Sequence, residues 1–215
     1  MLIVGAKGFA KEVLEVCYQL KQLDNLAFFD DVNADAPDFL YDNFPVLKSI
    51  EAVANCFKTV DADFTIGIGN PVLRKKLADQ FEAMGGVYTS TISPLAYVGH
   101  FGNTIGKGTN ILSGAIISNN VNVGKGCIIY FNSIITHDCI IEDFVEISPS
   151  VTLLGRCKIG KHTQIGSNAT VLPDVIIGEN VIVGAGSIVT KDVPANCLVF
   201  GVPAVIKKEL PKLIL

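Results

Sequence analysis

Only three histidines occur in the 215 residues, His100, His137 and His162, so imidazole chemistry has few places to happen. His137 stands in Thr136-His137-Asp138-Cys139, with a carboxylate next to it in the chain. A carboxylate beside an imidazole fixes its tautomer and stabilises the imidazolium, as a general base requires. His100 reads as an exposed loop residue and His162 as a turn residue facing solvent, and neither is given a role. Cys139 is the rival nucleophile, but its place in the repeat described below turns its thiol inward. The six cysteines contain no C-x-x-C pair, so neither a metal site nor a disulfide framework is expected.

A second group of candidates lies at the front. Gly5-Ala6-Lys7-Gly8 follows the apolar run Leu2-Ile3-Val4 and opens a helix expected over about 9–22. A glycine turn at a helix N-terminus holds phosphate through free N–H groups. It equally serves as a tight turn, and Gly5-x-x-Gly8 is not the full dinucleotide fingerprint. Leu26-Ala27-Phe28-Phe29 is a second strand, ending in Asp30-Asp31, where acidic residues can hold a ribose or base edge. Phe64 to Gly69 forms a third, with a helix from about Pro71 to Met84. Alternating strands and helices imply a small Rossmann-like α/β domain with a parallel sheet over 1–90.

The rest of the chain must carry His137, and its period is six. From Ile105 to Val189 fifteen consecutive hexads open on an aliphatic residue, and the fifth place of each is small or β-branched. The second place is glycine at Gly106, Gly124, Gly160, Gly166, Gly178 and Gly184, which is read as easing a turn. Six residues suit a short strand and a tight turn, three times per coil, with openers pointing into a prism-shaped core. Cys127, Cys139 and Cys157 all hold the small fifth place, so packing accounts for them. Two earlier hexads, from Ile92 and Val98, are offset by one residue near His100 to Thr104. The repeat covers about 92–194 within a second domain of 91–215.

Three hexads make one coil, so residues 18 apart stack at roughly 4.8 Å. Gly155 therefore stacks on His137. A glycine there leaves room for a thioester and exposes an N–H for the oxyanion of a tetrahedral intermediate, worth about 3 kcal/mol.

The array resembles the hexapeptide-repeat acyltransferases, and that likeness implies a left-handed parallel β-helix and a homotrimer. The V-G-A-x-G start, the F-x-D-D strand end and the I-G-N segment ahead of it resemble the PglD/NeuD group of sugar acetyltransferases along nearly the whole chain. The resemblance implies His137 as the base, Asp138 as its helper, and acetyl-CoA as cosubstrate with no metal. Gly5, Lys7, Gly8, Asp30, Asp31, Gly69 and Asn70 become candidate contacts of a nucleotide-linked amino sugar. Gly155, Glu146, Gly184, Ala185, Gly201 and Lys207 become candidate contacts of acetyl-CoA. Gly201-Val202-Pro203-Ala204 resembles the G-x-P-A signature closing many such chains. Lys207 and Lys208 beyond it either meet the coenzyme's phosphates or lie solvated on a terminal helix. Two positions depart from the group's pattern: Glu146 replaces a second histidine, and Glu142 a hexad glycine.

Composition limits the remaining classes. A net charge of −4 gives no basic footprint for nucleic acid. No apolar run approaches the ~20 residues that span a bilayer, and the start is too short and too soon charged for a signal peptide. The expected compartment is the cytoplasm. The reading is N-acetylation of a nucleotide-linked amino-deoxy sugar. Its rivals are O-acetylation of a sugar or small hydroxyl compound, and a non-catalytic scaffold.

Overall fold

The computed structural model describes residues 1–33 and 35–213; residues 214 and 215 of the expected second domain lie outside them. In the front domain, β1 (Leu2–Val4), β2 (Ala27–Phe29), β3 (Phe39–Leu40), β4 (Phe44–Leu47), β5 (Asp63–Ile66) and β6 (Val87–Tyr88) make one sheet, ordered β3-β4-β2-β1-β5-β6. All neighbours are parallel except β3 and β4. The short strands are buried on both faces, which is why they read as apolar runs and not as alternation. Helix α1 (Gly8–Gln19) buries Ala10, Val13, Leu14 and Cys17, the i, i+3, i+4, i+7 stripe of an amphipathic helix. It covers the Ile3 and Phe28 side of the sheet. Helices α2 (Ile50–Thr59) and α3 (Pro71–Ala83) cover the other side, around Phe57, Phe64 and Phe81. The Ser49 hydroxyl caps α2, accepting the Ala52 N–H at 3.2 Å; Asn70 caps α3, with Pro71 in its first turn.

The second domain is the coil that the period implied, and it is the left-handed parallel β-helix that the resemblance implied. Its first face runs from Thr91–Ile92 through Asn110–Ile111, Ile128–Ile129, Glu146–Ile147 and Gln164–Ile165 to Ile182–Val183. The second face includes Ile116–Ile117, Ile134–Ile135 and Thr152–Leu153, and the third Asn122–Val123, Ile140–Ile141 and Lys158–Ile159. The register is 18 residues in these ladders except between Thr91–Ile92 and Asn110–Ile111, where the one-residue offset makes it 19. Openers from Ile111 to Val189 and all the fifth-place residues are buried in one continuous core.

Three expectations need correction. The second-place glycines do not make the turns. A Cβ on Gly106 would lie 2.4 Å from the backbone of Gly124, so these glycines let successive coils approach. The turn belongs to the fourth place, which is left-handed in every hexad from that of Ile105 to that of Val183, at Asn120 (φ 56), Asn132 (φ 57) and Asn180 (φ 53) for example. The chain end is not a helix either. Cys197–Gly201 and Ala204–Glu209 pair as an antiparallel hairpin that extends the first face, with Gly201 opposite Ala204 across its turn. Lys207 and Lys208 are therefore strand residues.

His162 is the third correction: it is only 6% exposed and does not face solvent. Its ring stacks on Phe144 one coil below, with centroids 5.7 Å apart and planes 8° apart. Burial lowers its pKa, with the Lys75 and Arg74 charges adding. The unfolded chain takes up this proton near pH 6.5 and the folded chain only below that. Stability should then fall as pH drops below about 6.5. His162→Asn, whose side chain suits a left-handed corner, is expected to flatten that part of a Tm-against-pH curve. An unchanged slope would assign the loss to another group.

The front domain docks on the first face. The Thr65 hydroxyl donates to Asn110 Oδ1 (2.9 Å), and Asn110 Nδ2 donates to the Ile66 carbonyl (3.1 Å). Glu82 binds Lys125 at 2.6 Å and Lys107 at 2.5 Å.

Candidate active site

His137 occupies the third place of its hexad, on the corner between the second and third faces. Its Nδ1 lies 2.6 Å from Asp138 Oδ2, so Nδ1–H donates to the carboxylate and Nε2 is left as the acceptor. Asp138 itself holds a left-handed corner (φ 60), and its N–H donates to the Asn119 carbonyl at 3.1 Å. That backbone bond to the coil below fixes where its carboxylate can point. The carboxyl is held below the usual carboxylate range, first by its hydrogen bond to His137, with Asn120 and the Arg156 charge adding.

Gly155 meets the ring as the stacking required. A Cβ there would lie 2.6 Å from His137 Cε1 and 2.8 Å from Nε2. Its carbonyl accepts the Asp174 N–H at 3.0 Å, while its own N–H donates to no group among the described residues. An acceptor nitrogen and a free amide N–H thus stand side by side. Cys139 is fully buried, and its Sγ contacts the Leu154 carbonyl (3.5 Å) in the core, so it is turned away from this corner.

The front-domain candidates divide in two. Gly5, Lys7, Asp30 and Asp31 line one cavity of about 290 Å³ with Phe29, Asn33, Gly67 and Ile68. It opens where β1, between β2 and β5, reverses the strand order, the usual ligand position in such sheets. Gly5 has φ +107 there, and a Cβ on Gly67 would lie 2.6 Å from Ala10, so α1 closes tightly on the sheet. Gly8 begins α1 and meets open space, and no side chain caps that helix, which leaves its first N–H groups available. Asn33, which the sequence reading missed, ties the cavity rim together. It accepts from Lys7 Nζ at 2.5 Å and donates to both carboxylate oxygens of Asp30 at 2.9 and 2.8 Å. Asp30 is therefore occupied with its own loop, and Asp31 is the carboxylate exposed to a ligand.

Gly69 and Asn70 lie apart from that cavity, at the junction with the coil. A Cβ on Gly69 would sit 3.5 Å from Glu146 Oε2, and Gln164 Nε2 donates to that same oxygen at 3.1 Å. Arg74, also missed, organises this junction. It is fully buried, and it donates to the carbonyls of Gly126 (2.7 Å), Phe144 (2.9 Å), Ile68 (3.3 Å), Val145 (3.3 Å) and Gly69. Its signal was a charge on the buried stripe of α3, in line with Pro71, Ala78 and Phe81.

The acetyl-CoA candidates are spread over the coil. Gly155 shares the His137 corner, but Glu146 is on the first face and is not beside the His137 of its own chain. Gly184 and Ala185 lie on the corner between the first and second faces. A Cβ on Gly184 would lie 2.7 Å from Phe200 Cβ, and Lys207 Nζ stands 5.0 Å above the Phe200 ring. Gly201 donates its N–H to Ser187 Oγ at 3.2 Å at the hairpin turn.

Residues 1–81 match the PglD N-terminal domain, and residues 156–191 the bacterial transferase hexapeptide family of six repeats. A perosamine N-acetyltransferase mutant from Caulobacter crescentus, solved with CoA and GDP-perosamine, is 29% identical and superposes with a TM-score of 0.89, over 97% of this chain and 96% of that one. The acetyltransferase domain of PglB from Neisseria gonorrhoeae is 28% identical with a TM-score of 0.88, over 96% and 98%. WeeI from Acinetobacter baumannii is 31% identical with a TM-score of 0.75, again over 96% and 98%. With both parts matched in this order and the likeness running end to end, the chain belongs to the PglD/NeuD-type hexapeptide-repeat sugar acetyltransferases, which are acetyl-CoA-dependent enzymes.

Proposed function

We propose that this enzyme N-acetylates a nucleotide-linked amino-deoxy sugar, with His137 as the general base. The observation that carries this reading is the corner where His137 Nε2, oriented by Asp138, lies beside the free N–H of Gly155. The sugar amine attacks the thioester carbonyl of acetyl-CoA; the C–N bond forms while Nε2 takes the amine's proton. The oxyanion sits on the Gly155 N–H. As the C–S bond breaks, the imidazolium returns the proton to the departing thiolate. Glu146 of a neighbouring copy, with one oxygen held by Gln164, supplies a carboxylate that draws in the ammonium form of the amine before it is deprotonated, which a hydroxyl does not offer. The GDP-perosamine of the Caulobacter relative supports a nucleotide sugar, and the cavity at Gly5, Lys7 and Asp31 is its proposed seat.

That cavity belongs to the domain docked on the first face, and His137 is on the corner opposite. One chain cannot bring them together. The second face offers the solution: its outward row, Tyr97, Ile116, Ile134, Thr152, Thr170 and Ile188, carries no charge, and the first three are 57%, 43% and 38% exposed. Three copies with this face toward a common axis place each His137 corner next to a neighbour's corner of Gly184 and Ala185 and its first face. Acetyl-CoA would lie in that seam.

The test is turnover of acetyl-CoA with a panel of nucleotide-linked amino sugars and their hydroxyl analogues. An amine substrate is expected, and Asp31→Ala should raise KM for it by about tenfold while leaving KM for acetyl-CoA unchanged. Acetylation of the hydroxyl analogues alone, or equal effects on both KM values, would refute the assignment. Sedimentation giving a stable monomer with full activity would remove the shared seam.

A further inference from the structure

The left-handed fourth place costs least with Gly, Asn or Asp, and most corners of the coil obey. From Gly108 to Gly186 only Phe144, Ser150, Arg156 and His162 depart, and Ser150 is small. Phe144 and His162 are explained by the junction, where they stack on each other. Arg156 (φ 66) has no such cover: its side chain is 53% exposed, and it is one of just two arginines in the chain. Its N–H donates to the His137 carbonyl at 3.0 Å. Its guanidinium grips both oxygens of Asp174, one coil above, at 2.5 and 2.8 Å. One coil below is Asp138. The corner column thus reads Asn120, Asp138, Arg156, Asp174, with opposite charges alternating at roughly 4.8 Å steps.

We propose that Arg156, held by Asp174, is a positioning residue for acetyl transfer: its cation, one coil above the Asp138–His137 pair, opposes the build-up of imidazolium charge on His137, while Asp174 limits how much of that charge His137 feels. This rests on His137 being the base. An ordinary exposed ion pair has little effect on its surroundings; this one is set apart by a strained corner, a two-pronged grip and its position over the catalytic carboxylate. The other charged or titratable groups near the corner are Lys158 and Glu142 on the third face, the Cys139 and Cys157 thiols in the core, and Asp192, which is turned to the Ile176 N–H at 2.8 Å. None of these stands between Arg156 and Asp138 in the column.

The two charges make opposite demands. Removing the Arg156 cation favours the imidazolium and moves the acid limb of the kcat/KM profile to higher pH. Removing the Asp174 anion leaves the cation uncompensated and moves the limb to lower pH. Each shift should be about half a pH unit, the effect of one charge acting over ~7 Å through water. Arg156→Asn and Asp174→Asn are suitable variants, because asparagine is at home in this corner and the backbone is kept. The experiment compares pH–rate profiles of the full-length enzyme for wild type, both variants and His137→Ala. Limbs displaced in opposite directions are the expected result. Unmoved limbs, or limbs moved the same way, with His137→Ala inactive, would overturn this proposal and leave the base in place. A folded His137→Ala with wild-type turnover would overturn both.

Discussion

His137→Ala is expected to lower kcat for acetyl transfer by about 10²–10⁴-fold, the usual contribution of a general base. The fold should be untouched, because the side chain is on the outer corner of the coil and makes its one hydrogen bond with exposed Asp138. Acetyl-CoA should still bind, since the Gly155 N–H remains. Asp138→Asn should be milder, as it keeps an acceptor for Nδ1 and loses the charge. Steady-state kinetics with circular dichroism and a coenzyme-binding measurement would check the set. A folded variant that binds acetyl-CoA at full turnover would exclude His137. Glu146 of the same chain could not replace it, because it lies on another face.

Arg74→Ala should be the most damaging single change to stability. The side chain fastens α3 and the Ile68-Gly69 segment to the Gly126 and Phe144 corners of the coil, through carbonyls and with no salt bridge among the described residues. Removing it strands several buried carbonyls and opens a cavity at once, at a cost of about 3–5 kcal/mol. At this chain length, that is about a 10 °C loss in Tm. Arg74→Met fills most of the volume but still leaves the carbonyls unpaired, so it should recover only part of the loss. Thermal melts would show the drop, with early proteolysis between β6 and the first coil strand as its local sign. A melt within about 1 °C of wild type would mean that water replaces the guanidinium without penalty.

What was legible in the sequence was whatever repeats. Openers and fifth-place residues announced the coil because each faces the same narrow core, and His137 over Gly155 followed from counting 18. The fourth place was overlooked because a left-handed residue leaves no hydrophobic signature; its Asn, Asp and Gly enrichment was there to be read. His162 was misjudged for a different reason: its corner is buried by another domain, and hexad position says nothing about what docks outside. Strand β4 went unread, since Pro45 breaks its apolar run, although it pairs with β2 on one side and with short β3 on the other. Arg74 went unseen because the coil carbonyls that it holds are distant in sequence, and Asn33 because its link to Lys7 joins two separate loops. The two halves of the site resisted a single-chain reading because they face opposite ways.

The 18-residue register also makes the coil a ruler. Between His137 and the hairpin that starts at Cys197 lie a little over three coils, about 16 Å along the axis. Inserting one whole coil would lengthen that interval by ~4.8 Å and leave every face where it was. Inserting a single hexad would rotate everything above it by a third of a turn, carrying the closing hairpin off the face where the front domain docks. Within the regular ladders length is therefore free to change only in steps of eighteen, and the 19-residue first turn and the 16-residue step into the hairpin mark the two ends of that rule.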